Sequence, residues 1–344
     1  MPGRLKLRRG VVVNEEPLEV EVEGERRPAW ADTELLGEMR GGDEVVVNVE
    51  ARDLGLDSGG FDVVHVNLTR GLEGGSPAEQ RVMKLNYTSL QHSVDTAERP
   101  LAETSRESHP VLVLPLHGHL APAAWAAAQA APGSRVGYVQ TGGGALPGSL
   151  SRDVVELRER GLLCGHLTAA PAYGGEHEAI SVAGALDAAA EQLDWDVVLV
   201  GPGPGIIGSG TALGHGGMAA LDSAHAALAL RMPTLLSPRL SAADPRERHR
   251  SVSHHTLTVM RLLLGGVEVP VPAGYPVAIA VLAGASGWRH RLHEAPADLA
   301  GYAAAGLPAQ TMGRSIEEDP LFYAAPLAAG RVLEAAHGPL RGKG

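Results

Sequence analysis

Two stretches of the chain concentrate groups able to hold and work on a small ligand. The first runs from Gly201 to Gly217, carries eight glycines and one histidine, and follows the apolar stretch Asp196–Val200. A strand-to-helix loop stripped of side chains presents bare backbone N–H groups near a helix N-terminus, an arrangement suited to a phosphate or carboxylate. Gly203, Gly205, Gly208 and Thr211 are its candidate ligand contacts. The second stretch, Ser237–Thr256, gathers Arg239, Arg246, Arg248 and Arg250 with His249, His254 and His255. Guanidinium forks match carboxylate and phosphate geometry, so Arg239, Arg246 and Arg248 are expected to bind an anion. Histidine titrates near neutrality, so His254 or His255 would move protons, with Asp244 or Glu178 as orienting partner. Neighbouring helical positions point in different directions, and only one of the two histidines is expected to enter the cleft. Ser253 reads as the N-cap of the helix they begin.

Three further loops follow apolar runs and would share the same cleft: Pro115–His119 with His117, Thr141–Pro147 with Gly143 and Gly144, and Pro171–Glu178. The plainer account of each glycine is a tight turn, and of each arginine a solvated ion pair. Gly203–Gly208 formally matches the dinucleotide fingerprint G-x-G-x-x-G, but it lies late in the chain, is followed by further loop, and lacks an acidic residue after the next strand. The phosphate-loop pattern fails because Ser209 stands where lysine is required. His117, His119, His177, Glu178, Asp244, His249 and the 254/255 pair include metal-ligating types, yet no spacing among them is a metal signature, and no metal is assigned. The hydrolase elbow G-x-S-x-G is absent, and Cys164 reads as a small buried residue. Near the C-terminus, Arg314 is a candidate to reach back into the cleft, while Asp319-Pro320 reads as cap and first position of a helix.

The elements that must position these groups fall into two patterns. Short alternating runs at Arg4–Leu7, Val11–Val13, Leu18–Val22, Val45–Val49, Phe61–Leu68 and Val82–Leu85 have strand spacing. Turn signals at Gly41-Gly42-Asp43, Asp57–Gly60 and Gly74–Pro77 separate them. Residues 1–105 are therefore expected to form a small all-β barrel or sandwich, ending in a polar connection, Ser89–His109. From 106 to 344 the pattern is βα: strands at Val111–Leu114, Val136–Gln140, Gly165–Ala169, Val197–Val200, Thr234–Leu236 and Val277–Leu282. Helices are expected near Pro122–Ala130, Leu150–Gly161, Glu178–Leu193 and His254–Leu264, with a helical cap over Glu294–His337. This predicts a doubly wound, Rossmann-like, mainly parallel sheet whose ligands bind beyond the strands' carboxyl ends.

With 344 residues, 44% of them hydrophobic, the chain can bury a sizeable core in about two domains. A net charge of −11 argues against nucleic acid as a partner, no run approaches the roughly 18 apolar residues of a membrane span, and the basic start lacks a signal's apolar segment. One cysteine excludes an internal disulfide framework, and a cytoplasmic address is expected. The partner expected is a small anionic metabolite, phosphorylated or nucleotide-like, with homo-oligomerisation left open and the cofactor unknown. The leading reading is an enzyme. A non-catalytic ligand-binding or scaffold protein is the alternative, and nicotinamide-dependent redox chemistry the third.

At Gly42-Asp43, Leu54–Gly60, Gly203-Pro-Gly205, Gly208-Ser-Gly-Thr211, Arg239-Leu-Ser241, Asp244-Pro-Arg246, Arg248-His249 and Ser253-His-His-Thr256, the chain resembles an uncharacterised bacterial family, domain of unknown function 3866. The resemblance runs over nearly the whole length. Similar sequences more often carry L-G-L-G-T-G-G in the Leu54 stretch and G-F-S-G after the Gly-Thr pair, where this chain has Asp57-Ser58 and Gly214-His-Gly-Gly217. The resemblance implies a site at these stretches and no established reaction.

Overall fold

A computed structural model describes residues 3–55, 60–72, 82–101, 106–287 and 289–336. The turn residues Asp57–Gly59 and Gly74–Pro77 lie outside them. The chain divides into two compact units, Met1–Arg81 and Val82–Gly344, so Val82–Leu101, expected to close the first domain, belongs to the second unit.

The first unit is a closed barrel of five strands: β1 (Leu7–Glu15), β2 (Leu18–Val22), β3 (Glu25–Trp30), β4 (Glu44–Asn48) and β5 (Asp62–Asn67), in the order β1-β2-β3-β5-β4 with β4 returning to β1. Closure leaves no strand edge open. Alternation does the packing, since Val20 and Val22, Val45 and Val47 point into one valine-rich core with Val12 and Val64 while their neighbours face out. The first strand begins at Leu7, later than the expected Arg4. β3 has no counterpart among the expected strands, because Glu-Arg-Arg-Pro carries no apolar alternation; the barrel holds it by pairing with β2 and, at Ala29 and Trp30, with β5.

In the second unit a short hairpin, β6 (Val82–Lys84) with β7 (His92–Val94), precedes the sheet. Lys84 is fully buried, and its ammonium donates to the carbonyls of Thr168 (2.8 Å) and Ala172 (2.7 Å) and to the Glu178 carboxylate. The sheet contains β8 (Val111–Val113), β9 (Val136–Thr141), β10 (Gly165–Ala169), β11 (His177–Ala179), β12 (Val197–Pro202), β13 (Thr234–Leu236), β16 (Glu268–Pro272) and β17 (Arg291–Ala295); a two-stranded ribbon, β14 (Leu240–Ser241) and β15 (Ser251–Val252), stands between. All eight sheet strands are parallel, ordered β11-β10-β9-β12-β8-β13-β16-β17. Their central members are buried on both faces, as a parallel sheet covered by helices requires.

Short helices α1 (Thr33–Leu36) and α2 (Glu50–Asp53) belong to the first unit. On one face of the sheet lie α5 (Val182–Glu191), α6 (Ala219–Ala229), α7 (His254–Leu262) and α8 (Pro276–Ser286); on the other lie α3 (Leu120–Ala130), α4 (Arg152–Glu159), α9 (Leu299–Ala304) and most of α10 (Pro320–Ala336). Val277–Leu282, expected as a strand, is the middle of α8. A short continuous apolar run does not distinguish the two by periodicity, and Pro276 at the first helical position followed by alanines decides for helix. The strand that actually follows α7 is β16, hidden in the sequence by Pro270 and Pro272. It pairs with β13 only at Leu235 opposite Glu268, so strand positions beyond that point have no ladder partner on the β13 side. Glu178 starts no helix; it lies in the edge strand β11, and Ser181 caps α5 through Gly184 N.

The connection leaving β8 passes over β12 to reach β9, and the one leaving β12 passes over β8 to reach β13, on opposite faces. Their carboxyl ends, Pro115–His119 and Gly201–Gly217, therefore flank the crevice where such sheets bind ligands.

Candidate functional site

The glycine loops do converge at this edge, but largely on one another. A Cβ at Gly144 would lie 2.1 Å from the Gly203 carbonyl oxygen, one at Gly203 2.3 Å from the Ala145 oxygen, and one at Gly143 2.3 Å from the Gly216 oxygen. Ala145 N donates to Pro204 O, and Gly216 N to Ile207 O. Gly143, Gly144 and Gly203 thus let two loops, Thr141–Pro147 and Gly201–Gly217, close main chain against main chain, where they had been expected to line a ligand site. Gly205 is exposed at φ +72°, Gly208 pairs with His215, and exposed Thr211 accepts from Gly214 N at 3.0 Å within its own turn. The helix after the fingerprint opens only at Ala219, so the dinucleotide geometry is not formed.

The loop contributes chemistry through one side chain, His215. Its imidazole stacks on that of His255, with ring centroids 3.7 Å apart and planes 8° from parallel, and meets His254 edge-on at 5.4 Å. His249 closes the group, 5.0 Å from His254 and 4.9 Å from His255. Both helix-start histidines therefore enter the cluster, contrary to the expectation for adjacent positions. They open α7, where side chains lean back beyond the helix N-terminus, and His215 and His249 approach there from separate loops. Ser253 caps α7 as expected, accepting from His255 N at 3.2 Å, and it also bonds His249 Nδ1 at 2.7 Å.

Arg239, only 4% exposed, sits against this cluster. Its Nη1 lies 3.3 Å from His255 Nδ1 and its Nη2 3.5 Å from Asp244 Oδ2, while its Nε is buried without a partner. Burial, and then the neighbouring Arg246 charge, bring its guanidinium down to about 10. Asp244 is not a partner of any imidazole. Its carboxylate takes two bonds from Arg246 (2.9 and 2.8 Å) and contacts Arg239 and Arg314, both at 3.5 Å. Burial alone would raise its pKa, but the side-chain and backbone bonds from Arg246 outweigh that and hold it well below the usual range. Glu178, the other proposed helper, is engaged instead by Lys84, Thr168 Oγ1 (2.6 Å) and Gly174 N (2.6 Å). Arg246, half exposed, precedes the turn Glu247–His249, and Arg248 lies exposed within it.

Burial lowers the proton affinity of every imidazole here: His255 to about 2, His249 to about 3, and His215 and His254 in the same direction. After burial, the next causes are the His215 ring for His254 and His255, and Arg239 for His249. The cluster is accordingly neutral and rich in lone pairs. His119, from the turn after β8, bonds Ser237 Oγ through Nδ1 (2.9 Å) and leaves Nε2 buried without a partner. His117 belongs to another network: its Nε2 meets Ser151 Oγ at 2.8 Å and its Nδ1 the Pro202 carbonyl at 3.3 Å, with burial lowering it to about 4.

Sequence reasoning passed over His215; it weighed His119 and His249 only as metal-ligating types without a signature, and Arg314 as a candidate to reach back into the cleft. His215 was visible inside the glycine run, but nothing in its spacing linked it to residues 254 and 255. Arg314 does reach Asp244, and its Nε also meets Asp319 at 3.2 Å. The Asp319 carboxylate, expected to cap α10, instead accepts from Ser241 Oγ (2.5 Å) and Ala242 N (2.9 Å), fixing the ribbon beside the site.

A family model described as "Protein of unknown function (DUF3866)" matches residues 28–330. No curated protein and no solved structure matches the chain.

Proposed function

The chain belongs to the DUF3866 family, and from that premise we propose that it is an enzyme acting on a small anionic metabolite, phosphorylated or nucleotide-like, held at the carboxyl edge of the parallel sheet. One observation carries this reading: Arg239 is a buried cation whose contacts are long, with one N–H left unpartnered, beside four neutral imidazoles. A buried guanidinium costs free energy unless paired and hydrogen-bonded, and Asp244 is already shared with Arg246 and Arg314. A carboxylate or phosphate arriving at Arg239 would supply the missing acceptor. His254, the most accessible of the four imidazoles, or His255 would then take or return a proton at the substrate. The glycine loops serve this site by their close packing, which carries His215 to His255, and the role of Arg248 shrinks to an exposed charge whose field reaches His254.

Thermal melting of the full chain against a panel of phosphates, carboxylates and nucleotides tests the reading. A ligand at a hundredfold excess over its dissociation constant stabilises the native state by about 2.7 kcal/mol. At least one anion is expected to raise the midpoint of the unmodified chain and to leave Arg239→Gln unmoved. If no anion acts at millimolar concentration, or the variant responds equally, the reading fails. With the anion identified, His254→Ala and His255→Ala are expected to keep affinity and lose turnover; a binding protein without chemistry would have no turnover to lose.

A further inference from the structure

We propose that His215, His254 and His255 bind one divalent cation of the zinc class. This goes beyond the anion reading and does not rest on it: with the ion bound, His254 and His255 serve as ligands, and the proton-carrying role given to them above passes to water at the open position. One nitrogen from each ring can be chosen so that all three lie within 4.8 Å of one another. In a tetrahedral zinc site with bonds of about 2.0–2.1 Å the ligand nitrogens stand roughly 3.4 Å apart, so closing the set takes ring shifts of about an ångström and a tilt that turns the stacked His215 and His255 planes toward one another.

His215 carries the strongest second observation. It is 7% exposed, its Nε2–H donates to the Ala212 carbonyl at 3.0 Å, and its Nδ1 is buried without a partner. A carbonyl on one ring nitrogen fixes the tautomer and aims the other nitrogen's lone pair, as in the outer shell of metal-binding histidines. Gly217 keeps that space clear, since a Cβ there would lie 3.1 Å from His215 Nδ1 and 3.2 Å from His255 Nδ1. Three imidazoles leave a fourth position for water or an anionic substrate oxygen, the pattern of open zinc sites.

The nearest competitor is Arg239, whose Nη1 stands 3.3 Å from His255 Nδ1. A guanidinium and a cation cannot share that lone pair, and their charges repel. The same substitution, Arg239→Gln, is therefore expected to abolish the anion response and to tighten metal binding, so the two proposals fail separately.

The test uses the full-length, untagged chain stripped by dialysis against a chelator, titrated with Zn²⁺ by calorimetry and with Co²⁺ by visible absorption. One equivalent is expected, with affinity lowered at least about a hundredfold in His215→Ala and in His254→Ala, whose half-buried ring is the safer to remove, and raised severalfold in Arg239→Gln. Circular dichroism checks that each variant is folded. The assignment is overturned if the unmodified chain takes up no Zn²⁺ or Co²⁺ at micromolar concentration. Unchanged binding in both histidine variants would also overturn it, by placing the ion elsewhere. Unchanged or weaker binding in Arg239→Gln would remove His255 as a ligand.

Discussion

The barrel and the carboxyl edge of the parallel sheet both bury polar groups, but they treat them differently. In the barrel, the Asp43 carboxylate receives Arg70, Asn67 Nδ2 (2.8 Å) and Arg40 N (2.9 Å), and buried Asp62 receives Arg27 at 2.6 Å. Hydrogen bonds from Arg70 first, working against burial, bring Asp43 down to about 2. At the sheet edge buried Asp244 is paired in the same way, but beside it lie neutral imidazoles and a guanidinium, and His119 Nε2, His215 Nδ1 and Arg239 Nε have no partner. Paired charges tie a fold together locally, whereas buried polar atoms left unpaired in a native structure are sites that a ligand can satisfy.

Acid should expose this contrast most strongly. In the second unit, burial holds His117 at about 4 and His119 and His166 at about 3, below the ordinary value of 6.5. The unfolded chain therefore binds more protons than the native one as pH falls through 6.5, and stability declines from there down to each folded pKa, by up to about 1.4 kcal/mol per pH unit for each such histidine. In the barrel the sign is the same but the window lies lower: Asp43, lowered to about 2, contributes stability that is complete above its ordinary 3.8 and is lost as pH falls from there through 2. Peptide-resolved hydrogen exchange between pH 7 and 4 should show the sheet loosening well before the barrel; the reverse order would break the comparison.

Next in size is Gly216→Ala, whose added carbon would lie 1.7 Å from the Gly143 oxygen. Chemical denaturation should report a loss of roughly 1–3 kcal/mol or more, because main chain must move. Asp43→Ala should cost the barrel about 1–3 kcal/mol, since Asn67 and the Arg40 N–H lose a buried acceptor. A smaller cost would mean that the barrel is not organised around this carboxylate. The smallest effect belongs to exposed Arg248→Ala, expected within about 0.5 kcal/mol of the parent and without influence on anion affinity. A marked loss of binding there would move the site outward onto the surface turn.

Much of this architecture was legible. Valine alternation announced β2 and β4, and the βα rhythm announced a parallel sheet with Gly201–Gly217 at the carboxyl end of one of its strands. The failures have local causes: β3 is polar, β16 is interrupted by two prolines, and α8 is apolar all round, so none of them displays the periodicity of its actual conformation. The stretch from Arg239 to His255, singled out in the sequence, does bring its side chains together, yet its internal wiring was misjudged. Asp244 sits close in sequence to the arginines, and their full charge claimed it before any neutral imidazole could.

Composition and spacing by themselves determined the two-part division into strand-rich and βα segments, the concentration of arginine and histidine in one span, and the glycine-rich turns around it. Only the tertiary structure decided that these glycines face each other, that His215 stacks on His255, and that Arg239 is left one acceptor short. The reason is that such contacts join loops leaving different strands. Their meeting depends on β8, β12 and β13 lying side by side at the sheet's centre, an order that no local periodicity records.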